Sequence, residues 1–182
     1  MNLWLRVLHL IVTSFFRPKI NPLRDVSRLS FRVWPHDLDT SLHMNNGRYW
    51  TLMDLGRTDI MVRSGLWRPI LKNGWVPVVS AGQIRFRREM RLFQPFHLET
   101  RILTWSETHV VMEHRLASRR RDGTRIVNAI ALVMAGLYDR ASRTYVPMER
   151  LLDEIGLAAE PPEAAPEVQA FLHAEETLKR AA

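Results

Sequence analysis

The segment DLDTSLHMNNGRYW, residues 37–50, gathers several groups that could do chemistry into one short stretch. It places two carboxylates, two hydroxyls, an imidazole and two side-chain amides ahead of an aromatic residue. A carboxylate just before a helix can act as a general base or as a nucleophile. The free N–H groups of the helix's first turn can stabilise negative charge on a reacting oxygen. The same residue types are also common as loop and capping residues, so both interpretations stay open here.

A long helix is predicted directly after this segment, because apolar residues recur there at steps of three and four. Those residues are Tyr49, Leu52, Met53, Gly56, Ile60 and Met61. Asn45 or Asn46 suits the N-cap, and Gly65 suits the end of the helix. The helix would therefore place the polar segment at its amino end.

Strands are predicted on both sides of this helix. Alternating apolar residues indicate one strand near residues 28–34 and four more at 76–89, 96–105, 109–120 and 124–139. The last of these is apolar on both faces, as a central strand covered on each side would be. This order predicts an α+β fold in which a five-stranded antiparallel sheet, its last four strands in a meander, curls around one helix. Short helices are expected at about 147–157 and 167–180.

Composition fits one soluble globular domain, with 46% hydrophobic and 25% charged residues in 182. The chain has no cysteine, which excludes disulfides, thiolate metal sites and cysteine nucleophiles. The net charge of +7 would attract polyanions such as nucleic acid, anionic lipid or the phosphates of a nucleotide-bearing substrate.

The first sixteen residues predict an amphipathic helix with one narrow polar stripe. Asn2, Arg6, His9 and Thr13 form the stripe, and apolar residues cover the rest. The run is shorter than a membrane-spanning helix and contains Arg6. It could lie on a membrane surface, pack on a partner subunit, or dock on its own domain.

The run DLDTSLHMNNGRYWTLMDLGR, with the strands that follow it, resembles the hotdog-fold thioesterases of the 4-hydroxybenzoyl-CoA thioesterase type. It is also similar to the acyl-ACP thioesterases, which carry an Asp-x-Asn-x-His-Val-Asn-Asn run. The resemblance covers roughly residues 27–145. It implies a hotdog fold, with a curved five-stranded sheet around a central helix, and hydrolysis of acyl-CoA or acyl-carrier-protein thioesters. It also implies a homodimer or a higher homo-oligomer.

The resemblance implies roles for individual residues. Asp39, ten residues before Tyr49, corresponds to the family's catalytic carboxylate, and His43 matches the plant-type pattern. Ser41 stands where that pattern has asparagine, so a mechanism centred on the carboxylate is favoured over a full Asp-Asn-His set. Asp54 and Arg57 correspond to a Glu-x-x-Arg pair, but at this spacing they are expected simply to pair across one helical turn.

On this basis Asp39 would be a general base for water, or a nucleophile that forms a mixed anhydride. The amides around Asn46 and Gly47 would polarise the thioester carbonyl, and His43 or Asn46 would position the water or the acyl group. Gly47 would allow close approach of the substrate, and Tyr49 would contact it.

Arginine clusters could bind the phosphates of CoA, since guanidinium groups bind phosphate in a bidentate manner. The first cluster contains Arg85, Arg87, Arg88 and Arg91, and the second contains Arg119, Arg120, Arg121 and Arg125. Both could instead be solvated strand ends. The first is the expected substrate contact, and the second is expected to be a surface tip.

No metal site and no cofactor are expected. His36, Asp37, Asp39 and His43 are suitable ligand types, but none of the familiar zinc spacings is present. Nucleic-acid binding is not expected either, because only the positive charge of the chain would favour it.

Three parts are expected along the chain: an amphipathic segment at 1–26, a hotdog domain at 27–147 and a helical extension at 148–182. The alternative to an enzyme is a non-catalytic hotdog module that binds acyl chains or a partner, since a fold does not guarantee activity. A cytoplasmic location is expected, with peripheral membrane contact through residues 1–16 as an open alternative.

Overall fold

The computed structural model describes residues 3–181. Within that range the helices and strands are, in chain order, α1 (Leu3–Phe16), β1 (Ser27–Arg32), α2 (Asn46–Ser64), α3 (Trp67–Asn73), β2 (Trp75–Phe86), β3 (Pro95–Trp105), β4 (Val110–Arg119), β5 (Arg125–Asp139), β6 (Thr144–Tyr145), α4 (Met148–Glu154) and α5 (Pro166–Ala181). A single 3-10 turn, Pro35–Asp37, lies between β1 and α2.

The strands form one sheet in the order β1-β3-β4-β5-β2, and the two-residue β6 adds to β5. β1 pairs with β3 in antiparallel fashion, from Ser27 opposite Thr100 to Arg32 opposite Pro95. The predicted four-strand meander was wrong for β2, which neighbours β5 instead of β3. The chain between β2 and β3 makes no tight hairpin. Instead it hydrogen-bonds to the segment before α2, with the Met44 N–H donating to the Met90 carbonyl at 2.8 Å.

Both ends of α2 follow from local residue types. The side chain of Asn45 caps the helix by accepting a hydrogen bond from the Gly47 N–H at 2.8 Å. Gly65 ends it in the left-handed conformation, with φ of 89°, which glycine adopts without steric cost. The predicted cap and end of this helix are confirmed.

Gly56 sets how closely α2 approaches the sheet. A Cβ atom at this position would overlap the Thr100 hydroxyl and lie 3.1 Å from Leu98 Cδ2, so only glycine fits against β3 here. Around this contact the large side chains are fully buried, including Leu52, Met53, Leu55, Phe96 and Leu98. Burial of this apolar face is the main stabilising contribution to the helix.

By their internal contacts the residues divide into two compact units. One comprises Met1–Gly65, Ile84–Arg101 and His114–Ile130, and the other comprises Leu66–Gln83, Ile102–Glu113 and Ala131–Ala182. The three-part division along the chain that the sequence suggested stays a prediction.

In the second unit α5 covers an apolar cluster. Val168 and Phe171 of α5 pack with Val111 of β4 and with Leu132 and Met134 of β5. This cover explains why β5 carries apolar residues on both of its faces. The predicted helices at α4 and α5 are present, whereas α3, β6 and the 3-10 turn were not predicted.

The predicted N-terminal helix is present as α1 and packs against α2. Asn2, one member of the predicted polar stripe, lies outside the described residues. Among residues 3–181, no helix combines the length and the apolar character needed to cross a membrane.

Candidate functional site

Asp39 lies in a tight turn that leads towards α2. Its Oδ1 accepts hydrogen bonds from the N–H groups of Ser41 at 2.9 Å and His43 at 3.4 Å. Oδ1 accepts both of the hydrogen bonds that residues 3–181 donate to this carboxylate. Oδ2 therefore has no hydrogen-bond partner among residues 3–181. The side chain is half-buried. One oxygen therefore fixes the carboxylate in the turn, and the other is available for chemistry.

The backbone of this turn is strained at Leu42, which adopts φ of 60°. Its N–H donates to the Asp39 carbonyl at 3.1 Å, and the Asp39 N–H donates to the His43 carbonyl at 2.9 Å. A left-handed non-glycine residue costs energy, and such residues cluster at functional sites. These backbone hydrogen bonds hold the turn in spite of that cost, and they keep Asp39 at a fixed position before the helix.

Asp37 is a structural residue of the same segment. Its side chain is 1% exposed and its Oδ2 accepts from Arg6 Nη2 at 2.6 Å and from the Trp34 N–H at 2.9 Å. Its carbonyl accepts from the Asn45 N–H at 2.8 Å, directly at the N-cap of α2. Asp37 thus holds the two ends of the turn that presents Asp39.

The start of α2 offers one backbone donor fewer than the sequence suggested. The Gly47 N–H is occupied by the Asn45 side chain, and the Arg48 N–H donates to the Asn45 carbonyl at 2.9 Å. The N–H of Asn46 has no acceptor among residues 3–181, and its side chain is exposed. In this conformation the amide that can face a substrate oxygen is therefore that of Asn46.

The imidazole of His43 is directed to Glu89 rather than to Asp39. His43 Nε2 lies 3.1 Å from Glu89 Oε2, and both side chains are partly exposed. Arg91 also binds Glu89, at 2.7 Å. The hydrogen bond from Arg91, with the charges of His43 and Arg91, lowers the pKa of Glu89 and keeps it ionised. Because Asp39 bonds the backbone of His43 and not its ring, the geometry is not that of a catalytic triad.

Arg85, Arg87 and Arg88 lie at the end of β2 and just after it, and all three are exposed. Their guanidinium groups form no ion pair with residues 3–181. The backbone here is fixed by buried Asn128 of β5, whose carbonyl accepts from the N–H groups of Arg87 at 2.8 Å and Arg88 at 3.1 Å. These arginines therefore stand on a fixed backbone with their charges uncompensated.

The side chain of Asn128 adds to this fixation. Its Nδ2 donates to the carbonyls of Arg88 and Glu89 at 3.4 and 3.3 Å, and its Oδ1 accepts from the buried Ser118 hydroxyl at 2.7 Å. Asn128 consequently positions both the arginines and the acid that binds His43.

Tyr49 is part of the core at the start of α2. It is 3% exposed, and its ring meets Phe86 edge-on with centroids 5.1 Å apart. Burial raises the pKa of Tyr49 to about 12, so the phenol stays protonated. A contact between Tyr49 and substrate stays a prediction.

Arg57 pairs with Asp54 on α2, as expected from their spacing. Its Nη1 also lies 3.2 Å from Nε2 of buried His114, whose Nδ1 lies 2.9 Å from the Thr100 hydroxyl. Burial lowers the pKa of His114 to about 3, and the charge of Arg57 contributes. The imidazole is therefore neutral, and it accepts from Arg57 and donates to Thr100.

Two residues that hold the candidate site residues in place, Glu89 and Asn128, were not predicted from the sequence. Glu89 and Asn128 lie far along the chain from the residues they hold, so no local pattern could link them. Among the residues that the structure describes, no three His, Asp or Glu side chains form a group that could hold a metal ion.

Known proteins resemble the chain in sequence and in fold. Protein THEM6 of Xenopus laevis is 33% identical over 112 residues, which are 62% of this chain and 54% of that protein. The chain spans about half the length of the curated relatives it matches.

The structure of 4-hydroxybenzoyl-CoA thioesterase from Pseudomonas sp. strain CBS-3 aligns with a TM-score of 0.64 at 16% identity, covering 71% of this chain and 98% of that one. A hypothetical protein of Staphylococcus aureus, solved in complex with CoA, aligns with a TM-score of 0.63 at 13% identity, covering 83% and 96%. These likenesses confirm the expected α+β hotdog fold. The family model of the thioesterase-like superfamily matches residues 33–172, well over half of the chain, and the protein belongs to that superfamily.

Proposed function

We propose that the protein hydrolyses acyl-CoA or acyl-carrier-protein thioesters to a free acid and a thiol, with Asp39 as the catalytic carboxylate. The observation that supports this most directly is the asymmetry of the carboxylate. Oδ1 is fixed by the N–H groups of Ser41 and His43, while Oδ2 has no partner in the described chain. Membership of the thioesterase-like superfamily supports the reaction class.

In the general-base route, Asp39 takes a proton from water as the water oxygen bonds to the thioester carbon. The tetrahedral oxyanion then collapses, the C–S bond breaks, and the thiolate recovers the proton from Asp39. In the nucleophilic route, Oδ2 itself attacks the carbon, the thiolate leaves, and water hydrolyses the resulting mixed anhydride. In both routes the Asn46 N–H, at the positive end of α2, stabilises the oxyanion.

The remaining residues have positioning roles in this proposal. His43, oriented by Glu89 at 3.1 Å, positions the water or the acyl group. The exposed Asn46 side chain and Gly47 line the approach to the helix start. Tyr49 supports that approach from beneath by packing on Phe86.

The arginines give the proposal a substrate class. Arg85, Arg87 and Arg88 carry uncompensated charge on a rigid backbone, which suits the diphosphate and 3′-phosphate of CoA or the phosphopantetheine of a carrier protein. Two proteins of similar fold support this choice by their own ligands: one acts on 4-hydroxybenzoyl-CoA, and the other was solved in complex with CoA.

The first test is thiol release from a panel of aromatic, short-chain and long-chain acyl-CoAs and acyl-carrier proteins. Asp39→Asn is expected to lower kcat/KM at least about 100-fold, since general-base catalysis contributes that much. Asp122→Asn is the matched control, because Asp122 also accepts an N–H two residues on, from Thr124 at 2.8 Å, in an exposed turn. Equal rates for wild type and Asp39→Asn would remove Asp39 from the mechanism. No release from any substrate would favour the non-catalytic acyl-binding module.

The second test looks for the mixed anhydride of the nucleophilic route. A single turnover in ¹⁸O-labelled water leaves the label only in the released acid if water attacks the acyl carbon, whether of the thioester or of the anhydride. Attack of water on the aspartyl carbon of a mixed anhydride would instead put the label into Asp39, where peptide mass spectrometry detects it.

The third test concerns the phosphates. The double variant Arg87→Gln/Arg88→Gln is expected to raise KM for acyl-CoA about tenfold, as loss of charged hydrogen bonds does, and to leave acyl-pantetheine, which lacks the phosphates, unchanged. Arg120→Gln/Arg121→Gln removes the same charge from the exposed β4–β5 turn and serves as the control. A KM increase for both substrates would mean that the arginines act on folding or on the acyl group.

Homodimer formation is part of the proposal. β2 stands at one end of the strand order, and its Val79 is 46% exposed. An exposed twelve-residue edge strand is a template for pairing with a second copy. Light scattering on wild type and Val79→Lys tests this, and a monomeric wild type would contradict it.

A further inference from the structure

The N-terminal helix α1 carries many of its large apolar side chains on the outside of the protein, while Leu10 is buried. Six large apolar residues are between 50% and 85% exposed: Trp4, Leu5, Leu8, Val12, Phe15 and Phe16. They are called the outer ridge here. Contiguous exposed apolar surface on a folded protein marks a site of contact with a partner or a membrane.

Two polar residues of α1, Arg6 and Ser14, face inward instead. Arg6 is 5% exposed and binds Asp37 at 2.6 Å, and its guanidinium lies 6.0 Å from the centre of the Phe31 ring. Near the other end, Ser14 donates to buried Asp59 at 3.0 Å. The helix is therefore held by charged and polar contacts, which it would have to break in order to bury the outer ridge in its own unit.

A second feature lies beside the outer ridge. A groove of about 690 Å³ runs between α1 and the edge strand β1. Its lining includes Arg17, Arg28, Arg32 and the aromatic residues Phe31 and Trp34, and no carboxylate is among its lining residues. This set is called the arginine groove. Arg17 binds Asp59 at 2.9 Å and exposed Arg28 lies 3.6 Å from Glu99, so Arg32 is the one of these three arginines with no acidic partner among residues 3–181. The positive charge that the groove offers a ligand therefore comes mainly from Arg32 and the exposed side of Arg28.

The outer ridge and the arginine groove adjoin each other. Exposed His9 lines the groove, and on the helix surface it neighbours Leu5, four residues before it, and Val12, three residues after it. A single flat partner could therefore cover both features at once.

We propose that α1 and the arginine groove dock the protein on a bilayer that contains anionic phospholipids. The outer ridge enters the boundary between headgroups and acyl chains, and the groove takes the phosphate of a headgroup. The side of α1 that carries Arg6 and Ser14 faces the protein's own carboxylates Asp37 and Asp59. In a free amphipathic helix this polar side would face water.

Charge decides between a bilayer and a second copy of this chain. A second copy docked on this face would bring its own arginine groove against the same positive surface. An anionic bilayer provides apolar material for the outer ridge and negative phosphate for the groove. Combining two such signals is what makes peripheral attachment stable.

Vesicle flotation of the full chain tests the proposal and does not depend on enzymatic activity. The protein is expected to float with phosphatidylcholine vesicles that contain phosphatidylglycerol, less with phosphatidylcholine alone, and less as salt is raised. Leu8→Glu/Val12→Glu is expected to weaken binding at least tenfold. Leu71→Glu/Leu178→Glu, at positions 72% and 68% exposed elsewhere, is the matched control and should bind as wild type does.

The groove is tested separately. Arg28→Gln/Arg32→Gln is expected to remove the preference for anionic vesicles and to leave the weaker binding to phosphatidylcholine. Arg120→Gln/Arg121→Gln controls for the loss of overall charge. Circular dichroism and thermal unfolding of each variant establish that it is folded.

Three results would overturn the proposal. The first is equal flotation of wild type and folded Leu8→Glu/Val12→Glu. The second is a wild-type dimer, seen by light scattering, that this variant abolishes while neither protein binds vesicles. The outer ridge would then join two copies of the chain. The third is binding of soluble glycerol phosphate by a protein that ignores vesicles, since the groove would then take a free phosphate.

Discussion

Arg6 and Asp37 form a buried ion pair that connects α1 to the segment carrying Asp39. The pair is 2.6 Å long, with side chains 5% and 1% exposed. The same Asp37 bonds the Trp34 N–H through its side chain and the Asn45 N–H through its carbonyl. The N-terminal helix is therefore linked, through one carboxylate residue, to the N-cap of α2.

Replacing Arg6 by leucine is expected to destabilise the protein by about 3 kcal/mol, because it leaves a buried carboxylate without its closest cation. Urea unfolding measures the loss. Arg125→Leu is the matched control, since Arg125 binds Glu99 at the same 2.6 Å but with side chains 42% and 23% exposed. An exposed pair contributes less than about 1 kcal/mol. Similar losses at both positions would contradict the role given to burial.

Asp59 joins three elements at one fully buried carboxylate. Its Oδ1 accepts from Ser14 and Arg17 at 3.0 and 2.9 Å, and its Oδ2 accepts from Ser27 and Arg63 at 2.6 and 3.0 Å. Asp59→Asn replaces one acceptor by a donor that faces other donors, and leaves two arginines uncompensated. We expect a loss of at least about 3 kcal/mol in urea unfolding.

Glu176→Gln is the control for Asp59→Asn, because Glu176 also pairs with an arginine of its own helix, Arg180, but the two side chains are 60% and 76% exposed. It should cost less than about 1 kcal/mol. If Asp59→Asn were as well tolerated as Glu176→Gln, the convergence of donors on Asp59 would not stabilise the fold.

The sequence predicted the parts of the fold that local chemistry determines. α2 was predictable because its Asn45 cap and its left-handed Gly65 act within a few residues. The neighbours of β2 were not, because strand order depends on contacts between distant residues. α3 was missed because it is only seven residues long and contains Pro69, which reads as a breaker.

The candidate site divides in the same way. The polar segment around Asp39 was visible because its residues are adjacent in sequence. Glu89 and Asn128 were not, because the site residues that they hold, His43 and Arg88, lie forty or more residues away from them along the chain. The periodicity of α1 showed which side chains share a face. It could not show that the face with Arg6 packs inward, since that depends on the buried carboxylates that receive it.

Asn128 gives a prediction about substrate affinity. Asn128→Ala removes the side-chain bonds to the carbonyls of Arg88 and Glu89 and keeps the backbone bonds from Arg87 and Arg88, so the arginines are held less firmly. KM for acyl-CoA is expected to rise several-fold, with little change for acyl-pantetheine, and stability to fall by about 1–3 kcal/mol. Steady-state kinetics with both substrates measures the split.

Ser118→Ala separates this positioning role from a loss of stability. It removes only the hydroxyl that donates to Asn128 Oδ1 at 2.7 Å and leaves the bonds to the Arg88 and Glu89 carbonyls intact. It should lower stability without raising KM. An equal increase in KM for both thioesters in Asn128→Ala would show that its effect is only structural.

His114 makes stability depend on pH in the mildly acidic range. Burial, with the charge of Arg57, lowers its pKa from 6.5 to about 3 in the folded protein. Between these values the unfolded chain binds a proton that the folded chain does not, so stability falls as pH drops from about 6.5 towards 3. The contribution is at most about 1.4 kcal/mol per pH unit. Above pH 6.5 both states are neutral and the effect is absent.

His114→Gln tests this, because glutamine can accept from Arg57 and donate to Thr100 but does not titrate. Urea midpoints at about pH 7, 6 and 5 are expected to fall less steeply for the variant than for wild type. His173→Gln, at an exposed position of α5, should keep the wild-type slope. Identical slopes for wild type and His114→Gln would mean that His114 is protonated in the folded protein, and its bond from the Arg57 guanidinium could then not exist as described.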